Sequence, residues 1–225
     1  MKLSLQKQLA LKQDPADMRR DYSRGTLENR ALQDDPLQQF HIWFQEALIS
    51  QGVIEANAMV LSTTSHDLQI TSRTVLLKGY DQTGFRFFTN STSTKGKQIA
   101  ENPRVALLFH WHLLERQVHI NGHVTILPRV ETEKYFQSRP RQSQLAAWAS
   151  HQSTPLSSRD ELEKSFQKIE SRFENKIIPT PDFWNGYLVE PYSIEFWQGR
   201  SNRLHDRFRY TKKENGEWKI ERLNP

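Results

Sequence analysis

The sequence predicts a mainly β protein with flanking helices, an α+β chain whose strands form an antiparallel barrel. Strand-like segments come first, a helical segment follows at about residues 129–175, and strands return after it. A doubly wound sheet would instead alternate strands with helices along the chain. The glycine patterns of dinucleotide and P-loop folds are also missing from the sequence. Asn215-Gly216, between two strand-like segments, is typical of an antiparallel hairpin turn.

Residues 1–35 are predicted to be a mobile arm, because they are polar and show little more than one helical turn of apolar spacing. The arm ends before Pro36, since the residue that precedes a proline avoids the helical conformation. Pro36 itself is a favourable first residue of a helix. Apolar side chains then repeat at spacings of three and four and predict one buried stripe: Phe40, Trp43, Phe44, Ala47 and Leu48. Residues 36–225 form the predicted domain.

Short β-prone segments follow this helix. The predicted strands are residues 58–64, 69–80 and 85–89, and a Gly84 turn joins the last two as a hairpin. A helix is predicted at residues 94–102, after a Ser/Thr-rich loop whose hydroxyls can cap it. A helix N-terminus with nearby lysines is also a natural phosphate site.

Two further strands precede the helical insert, at residues 105–109 and 116–127. Alternation in the second strand puts Val118, Ile120 and Val124 on one face. After the insert, the C-terminal strands of residues 186–225 complete the fold. They are predicted at 186–190, 192–198, 207–210 and 218–221.

Residues 203–210 concentrate cationic and aromatic side chains. In an extended conformation Arg203, His205, Arg207 and Arg209 share one face. Neighbouring cations repel one another unless an anion lies among them, which favours a charged ligand such as a phosphate. A solvated edge strand, whose charges discourage aggregation, explains the same pattern. The residues alone leave both interpretations open.

Composition narrows the function classes. The net charge of +5 suits phosphorylated ligands or nucleic acid, but 26 acidic residues are interspersed with 31 basic ones and no RNA-recognition signature is present. The absence of cysteine excludes disulfides and thiolate chemistry, and no metal site is predicted. No apolar run approaches the ~18 residues of a membrane span, and the N-terminus lacks a signal-peptide core. The predicted location is the cytoplasm.

Three long motifs resemble the pyridoxamine 5'-phosphate oxidase family: Glu195-Phe196-Trp197-Gln198-Gly199, Arg203-Leu204-His205-Asp206-Arg207 and the terminal run from Trp218 to Pro225. The resemblance extends through most of the chain. It implies an FMN-binding split barrel, built as a homodimer with active sites at the interface. It also implies oxidation of phosphorylated B6 vitamers to pyridoxal 5'-phosphate by O2, within vitamin B6 biosynthesis and salvage.

The resemblance assigns cofactor-binding residues. Arg73 and Lys78 resemble the flavin-binding pair, although strict alternation puts them on opposite faces, so a bulge or strand end must intervene. Thr94 stands in the phosphate loop where many relatives carry arginine. The other matches to FMN contacts are Phe88, Thr89, Ser93, Lys95 and Gln117, with Gln152, Ser153, Trp197 and Arg207 expected from the second subunit.

The resemblance also assigns substrate-binding residues. Tyr135, Arg139 and Ser143 resemble a clamp for the substrate phosphate, and Lys78 lies near the substrate. Arg203 and His205 resemble the catalytic pair over the pyridine ring. Arg19 and Tyr22, in the arm, resemble a lid that closes over the substrate.

Three other functions compete with this hypothesis. A split-barrel FMN reductase or another oxidase of the same fold would leave Arg203, His205 and the Tyr135/Arg139/Ser143 set without a role. A basic nucleic-acid-binding module would use the aromatic and cationic side chains for base stacking. A carrier would bind pyridoxal phosphate without turnover. Flavin colour, and its bleaching by substrate without oxygen, distinguish all of them.

Overall fold

The computed structural model describes residues 14–18 and 20–225. In this part of the chain nine strands form one antiparallel sheet. The strands are β1 (Ala58–Thr64), β2 (Ile70–Leu76), β3 (Gly79–Asp81), β4 (Gly84–Asn90), β5 (Arg104–Trp111), β6 (Arg116–Ile126), β7 (Trp184–Gln198), β8 (Asp206–Lys212) and β9 (Trp218–Leu223). The α-helices are α1 (Pro36–Ile49), α2 (Thr94–Glu101), α3 (Arg129–Ser138), α4 (Arg141–Ala149) and α5 (Arg159–Arg172).

The sheet is open. Its strands follow the order β2-β1-β5-β6-β7-β4-β3, and β8 and β9 extend from β7. The two end strands, β2 and β3, do not pair with each other, so the sheet curves without closing. The predicted mainly β class with flanking helices is confirmed. No helix among the described residues combines the length and the apolar character that crossing a membrane requires.

Helix α1 covers the core of the sheet. Asp35 caps its first turn by accepting a hydrogen bond from the Leu37 N–H at 2.9 Å. Phe40 packs edge to face on Phe85, with 4.9 Å between ring centroids. The predicted stripe is correct for Phe40, Trp43 and Ala47, which are buried, but wrong for Leu48, which is 52% exposed at the edge of the stripe.

The predicted strand at residues 69–80 is two strands. The chain leaves β1 after Leu76: the Leu77 N–H donates to the Asn57 carbonyl, and the Lys78 N–H donates to the Arg86 carbonyl on β4, both at 2.8 Å. Because the backbone changes its hydrogen-bonding partner between Leu77 and Lys78, the side-chain alternation of β2 does not continue into β3. Arg73 and Lys78 can therefore face the same cavity, as the family resemblance requires.

Strand β7 is one strand of 15 residues, where the sequence predicts two. The pairing with β6 shifts register at Gly122, which faces Pro191, while Asn121 faces Ser193. Such a bulge tolerates a proline inside a sheet. A Cβ atom on Gly122 would lie 2.6 Å from Val189 Cγ1 and 2.7 Å from the Glu190 carbonyl oxygen.

We expect Gly122→Ala to lower the free energy of unfolding by about 1–3 kcal/mol, because the added methyl group meets backbone that cannot move without breaking the pairing. Thermal unfolding monitored by circular dichroism measures the change. Gly79→Ala is the matched control, since its Cβ would meet no atom closer than 3.9 Å. Equal melting temperatures for the two variants would contradict the expectation.

The helical insert has a small core of its own. Phe136, Leu145, Phe173 and Ile178 are buried together between α3, α4, α5 and the segment that leads to β7. Ser158 caps α5 by accepting a hydrogen bond from the Glu161 N–H at 3.2 Å. The insert therefore packs as a unit, and α3 contacts β7, where the Gly186 N–H donates to Thr132 Oγ1 at 3.0 Å.

The described part of the arm lies against the sheet. The Leu27 side chain is buried, and its N–H donates to Asp206 Oδ2 at 3.0 Å. The Tyr210 hydroxyl donates to the Gln33 carbonyl at 2.7 Å. The arm's mobility and the division of the chain at residue 35 stay predictions.

Candidate active site

A cavity of about 620 Å³ lies between β2, β4 and the N-terminus of α2. It brings together most of the predicted cofactor residues, which come from distant parts of the chain. Those that line it are Arg73, Lys78, Phe88, Thr89, Thr94, Lys95, Gln152 and Ser153.

The N-terminus of α2 packs closely against the loop that precedes it. Ser93 is its N-cap and accepts a hydrogen bond from the Gly96 N–H at 3.3 Å. Gly96 is required here, because a Cβ atom would lie 2.3 Å from the Ser91 carbonyl oxygen. Free N–H groups at a helix start attract anions. Ser93, although buried, thus shapes the loop that leads into α2, which the resemblance predicts to bind a phosphate.

Lys95 carries a buried ammonium group and is only 8% exposed. Its Nζ donates to Gln152 Oε1 at 2.7 Å, Ser93 Oγ at 3.2 Å and Thr89 Oγ1 at 3.3 Å. Burial, together with the nearby charge of Arg73, lowers its pKa to about 8. Within the described ranges no carboxylate forms an ion pair with Lys95 or Arg73. A phosphate would supply the missing negative charge.

Arg73 is held by neutral groups. Its Nη1 donates to the Leu61 carbonyl at 3.0 Å and to Thr63 Oγ1 at 2.7 Å, and its Nη2 donates to Thr71. Gln98 accepts from both threonine hydroxyls, at 2.5 and 2.6 Å. Burial lowers the pKa of the Arg73 guanidinium. The network fixes the guanidinium without neutralising its charge.

The predicted substrate clamp lies at the α3–α4 corner. Tyr135 stacks on Phe88, with 3.8 Å between ring centroids, and so lies beside the cavity that Phe88 lines. The Arg139 guanidinium lies 4.3 Å above the Trp184 ring, and its Nη1 is buried without a hydrogen-bond partner in the described structure. Burial lowers the Arg139 pKa. Ser143, half-buried in the first turn of α4, completes the predicted set.

A second group of predicted residues lies on β6, β7 and β8. Strand register puts Gln117 opposite Trp197, and Trp197 opposite Arg207. All three line a separate cavity of about 390 Å³. Arg207 Nε donates to Glu195 Oε1 at 2.8 Å, which raises the Arg207 pKa. One face of three adjacent strands thus presents these residues as a row.

Arg203 and His205 line a third cavity, of about 580 Å³, together with Tyr22. The Tyr22 ring contacts Trp197 and His205 edge-on, at centroid distances of 5.8 and 5.7 Å. His205 Nδ1 accepts from the Arg200 N–H at 3.1 Å, and burial beside Arg203 lowers the His205 pKa. A neutral His205 then carries its proton on Nε2, where it can donate to a ligand. Arg19 lies outside the described residues.

The predicted extended conformation is wrong for Arg203 and His205. Ser201–Arg203 forms a 3-10 turn, in which Asn202 and Arg203 adopt the left-handed φ values of 55° and 61°, and β8 begins only at Asp206. The two side chains therefore belong to a loop instead of sharing a strand face with Arg207. From Asp206 onwards the predicted alternation is correct, since Phe208 and Tyr210 are buried.

Gln152 and Ser153 also differ from the expectation. The sequence analysis expected them from the second subunit, yet both line the cavity of Arg73 and Lys95 within one chain. The short loop after α4 carries them there, and Ser153 has a left-handed φ of 72°. Sequence reasoning missed Trp184 and Gln98, because nothing in the sequence indicates that they contact Arg139 and the threonines around Arg73.

The open antiparallel sheet, with a cation-lined cavity beside a helix N-terminus, has the architecture of the split-barrel class of flavoproteins. The crystal structure of PhzG from Burkholderia lata, in complex with tetrahydrophenazine-1-carboxylic acid, is similar with a TM-score of 0.84 and 30% identity, covering 90% of this chain and all of that one. A pyridoxamine 5'-phosphate oxidase-related, FMN-binding protein from Nostoc punctiforme shares the fold, with a TM-score of 0.68 and 16% identity over 86% of this chain and all of that one.

Residues 46–173 match the family model of pyridoxamine 5'-phosphate oxidase, and residues 184–225 match that of the pyridoxine 5'-phosphate oxidase C-terminal dimerisation region. The chain belongs to the pyridoxamine 5'-phosphate oxidase family. A pyridoxine/pyridoxamine 5'-phosphate oxidase from Rubrobacter xylanophilus is 50% identical over 95% of this chain and 98% of its own length. That of Rippkaea orientalis is 51% identical over 94% of this chain and its full length.

Proposed function

We propose that the chain is an FMN-dependent oxidase that converts pyridoxamine 5'-phosphate and pyridoxine 5'-phosphate to pyridoxal 5'-phosphate. O2 is the electron acceptor and H2O2 is released. With the amine substrate, water hydrolyses the resulting imine, which yields the aldehyde and ammonia. Such an enzyme serves the synthesis and salvage of vitamin B6. The relatives that carry the name of this activity match nearly the whole chain at about half identity.

One observation carries the proposal. Two desolvated cationic groups lack a carboxylate partner among the described residues: Lys95 with Arg73, which line the cavity, and Arg139, which lies over Trp184 at the wall of the same cavity. Unpaired buried cations are costly unless a ligand supplies the anion. Two such groups fit two phosphates, one on the cofactor and one on the substrate. A flavin reductase with an unphosphorylated substrate would leave Arg139 without a partner.

The residues divide the work as follows. Lys95, Arg73 and the N-terminus of α2 bind the FMN phosphate, Thr94 and Thr89 add hydroxyl groups there, and the buried Ser93 supports the site by capping α2 and accepting from Lys95. Held there, FMN would supply the redox chemistry, as the acceptor of a hydride from the substrate C4' and the donor of electrons to O2.

Tyr135, Arg139 and Ser143 bind the substrate phosphate, while Lys78 lies beside the ring. Arg203 orients the pyridine ring, and His205 donates a hydrogen bond to it from Nε2. Both hold C4' in the geometry that hydride transfer requires.

The enzyme is a homodimer, consistent with the dimerisation region matched by residues 184–225. In this proposal the row of Gln117, Trp197 and Arg207 faces the cofactor bound in the partner's cavity. The arm of residues 1–35, with Arg19 and Tyr22, covers the substrate bound to the domain of residues 36–225. A cytoplasmic location is part of the proposal, and cell fractionation tests it.

Purified protein tests the function directly. We expect a yellow protein whose flavin absorbance is bleached anaerobically by pyridoxamine 5'-phosphate and restored by air. A carrier protein would bind pyridoxal phosphate without bleaching, and a nucleic-acid-binding module would bind neither ligand. Colourless protein that does not take up FMN would overturn the proposal.

Arg203→Ala and His205→Ala are each expected to slow flavin reduction in a single turnover by about 10²-fold, because a loosely held substrate rarely reaches the reactive geometry. Stopped-flow absorbance measures the rate at saturating substrate. Arg209→Ala is the control, since Arg209 pairs with Glu221 on β9 at 3.3 Å. Wild-type reduction rates in both variants would remove this loop from the chemistry.

A further inference from the structure

Glu115 is a buried carboxylate outside the three cavities. It is 3% exposed and follows the turn His112–Leu114 with a left-handed φ of 55°. Its Oε2 accepts from the backbone N–H groups of Ser23 and Arg24, both at 2.9 Å. Buried carboxylates usually pair with a cation. Glu115 forms no ion pair in the described structure, so its carboxylate is stabilised there by backbone donors of the arm.

The same residue also holds the loop that precedes Arg203. The Gly199 N–H donates to the Glu115 carbonyl at 2.7 Å. A Cβ atom on Gly199 would lie 2.8 Å from Tyr22 Cγ and 3.1 Å from Glu115 Cβ. Glu115, Gly199 and Tyr22 are therefore packed in direct contact, where the arm passes over the end of β7.

Ser23 and Arg24 come directly after Tyr22, whose ring contacts Trp197 and His205. The next hydrogen bond that holds the described part of the arm to the sheet is at Leu27, whose N–H donates to the Asp206 carboxylate. Asp206 also accepts hydrogen bonds from Arg200 and Arg222. Without Glu115, four residues would separate the Tyr22 ring from its nearest polar anchor on the sheet. The position of Tyr22 therefore depends on Glu115 more than on Asp206.

We infer that Glu115 is a positioning residue that holds Tyr22 against Trp197 and His205 by fixing the two peptide groups that follow it. The inference rests on the proposed function, in which Tyr22 covers the substrate. Glu115 does not touch the substrate itself. Its removal acts through Tyr22 and leaves the binding of the FMN phosphate, at the far side of the site, to Lys95 and Arg73.

The test compares Glu115→Ala and Glu115→Gln in the FMN-loaded dimer, with pyridoxamine 5'-phosphate as substrate. We expect Glu115→Ala to lower kcat/KM by about 30- to 100-fold, largely through KM, because misplaced covering groups weaken substrate positioning. Glu115→Gln keeps an oxygen acceptor but loses the charge, so a loss of about 3- to 10-fold is expected. Glu101→Gln is the matched control: Glu101 Oε2 accepts from the His66 N–H at 3.0 Å on an exposed turn.

A double-mutant cycle with Tyr22→Ala separates positioning from general damage to the fold. If Glu115 acts through Tyr22, Glu115→Gln lowers kcat/KM by less than about twofold in the Tyr22→Ala background. Losses that multiply fully in the double variant would overturn the inference, as would a wild-type KM in Glu115→Gln. Should Glu115→Ala fail to fold, Glu115→Gln carries the cycle alone. Failure of the proposed function is distinct, because wild-type flavin would then not be bleached by substrate.

Discussion

Replacement of Arg139 by methionine is expected to lower kcat/KM for pyridoxamine 5'-phosphate by about 10²- to 10⁴-fold. Each hydrogen bond from a guanidinium to a phosphate contributes about 1.5–3 kcal/mol, and two are lost. Methionine keeps an apolar stem over the Trp184 ring, on which the guanidinium now lies at 4.3 Å. The fold should therefore survive, and the loss should appear mainly in KM.

Steady-state kinetics with phosphorylated and unphosphorylated pyridoxamine measure the specificity of this effect. Arg139→Met should reduce the preference for the phosphorylated substrate, because the lost contacts are to the phosphate. Arg141→Met is the neighbouring control: Arg141 donates to the carbonyls of Lys176 and Phe173, at 3.0 and 2.5 Å, and so ties α4 to the end of the insert. It should lower the melting temperature and leave the preference unchanged. An unchanged preference in Arg139→Met would contradict the assigned clamp.

Lys95→Met is expected to weaken FMN binding by about 10²-fold or more, since the buried ammonium offers a charge-assisted hydrogen bond to the cofactor phosphate. Riboflavin, which lacks the phosphate, should bind the variant and the wild type with similar affinity. Fluorescence quenching of each flavin by the apo-protein measures both constants. Lys97→Met is the control, because Lys97 lies two residues further along α2 and is exposed on the opposite face. Equal losses of affinity for FMN and riboflavin would mean that the cofactor phosphate does not bind at Lys95.

The lowered pKa of Lys95 makes the affinity for FMN depend on pH. In the apo-protein this pKa is about 8, below the ordinary value of 10.5, so the proton leaves as the pH rises past about 8. Binding of the FMN phosphate must then restore it, and the Kd should rise up to about tenfold per pH unit above that point.

Stability of the apo-protein should change in the opposite sense. Because the folded-state pKa lies below the unfolded value, the unfolded chain binds more protons between about pH 8 and 10.5, and the Lys95 contribution to stability rises with pH there. Lys95→Met should remove both effects. FMN affinity that stays constant in the wild type between pH 7 and 9.5 would contradict this account.

The sequence predicted the parts of the site that depend on local patterning. The hydroxyl-rich loop before α2, with Ser93 as N-cap and Lys95 behind it, follows from capping rules that act within one turn. The buried face of β6 follows from simple alternation, as Val118 and Ile120 show. Both patterns operate over a few residues and are therefore visible in the sequence.

The parts that failed depend on contacts between distant segments. Strand pairing changes at Leu77, where Asn57 and Arg86 become the backbone partners, and the chain turns at Asn202 and Arg203, which adopt left-handed φ values. Glu115 is one of many acidic residues in the sequence, and only the fold brings Ser23 and Arg24 to it, about 90 positions away along the chain. Arg203 and His205 line one cavity, but the extended backbone that alternation predicted for them is wrong, and their catalytic role stays a prediction.

Strand β7 has Trp184 at its first residue and Trp197 near its last, roughly 40 Å apart at the usual rise of a strand. In the proposed dimer the two ends of β7 contribute to different active sites. Each polypeptide therefore supplies part of both active sites. Two subunits damaged at opposite ends, one at Arg139 and one at Arg207, would rebuild a single undamaged centre when mixed. Two defective gene copies could thus complement each other within one molecule, as copies damaged at the same end could not.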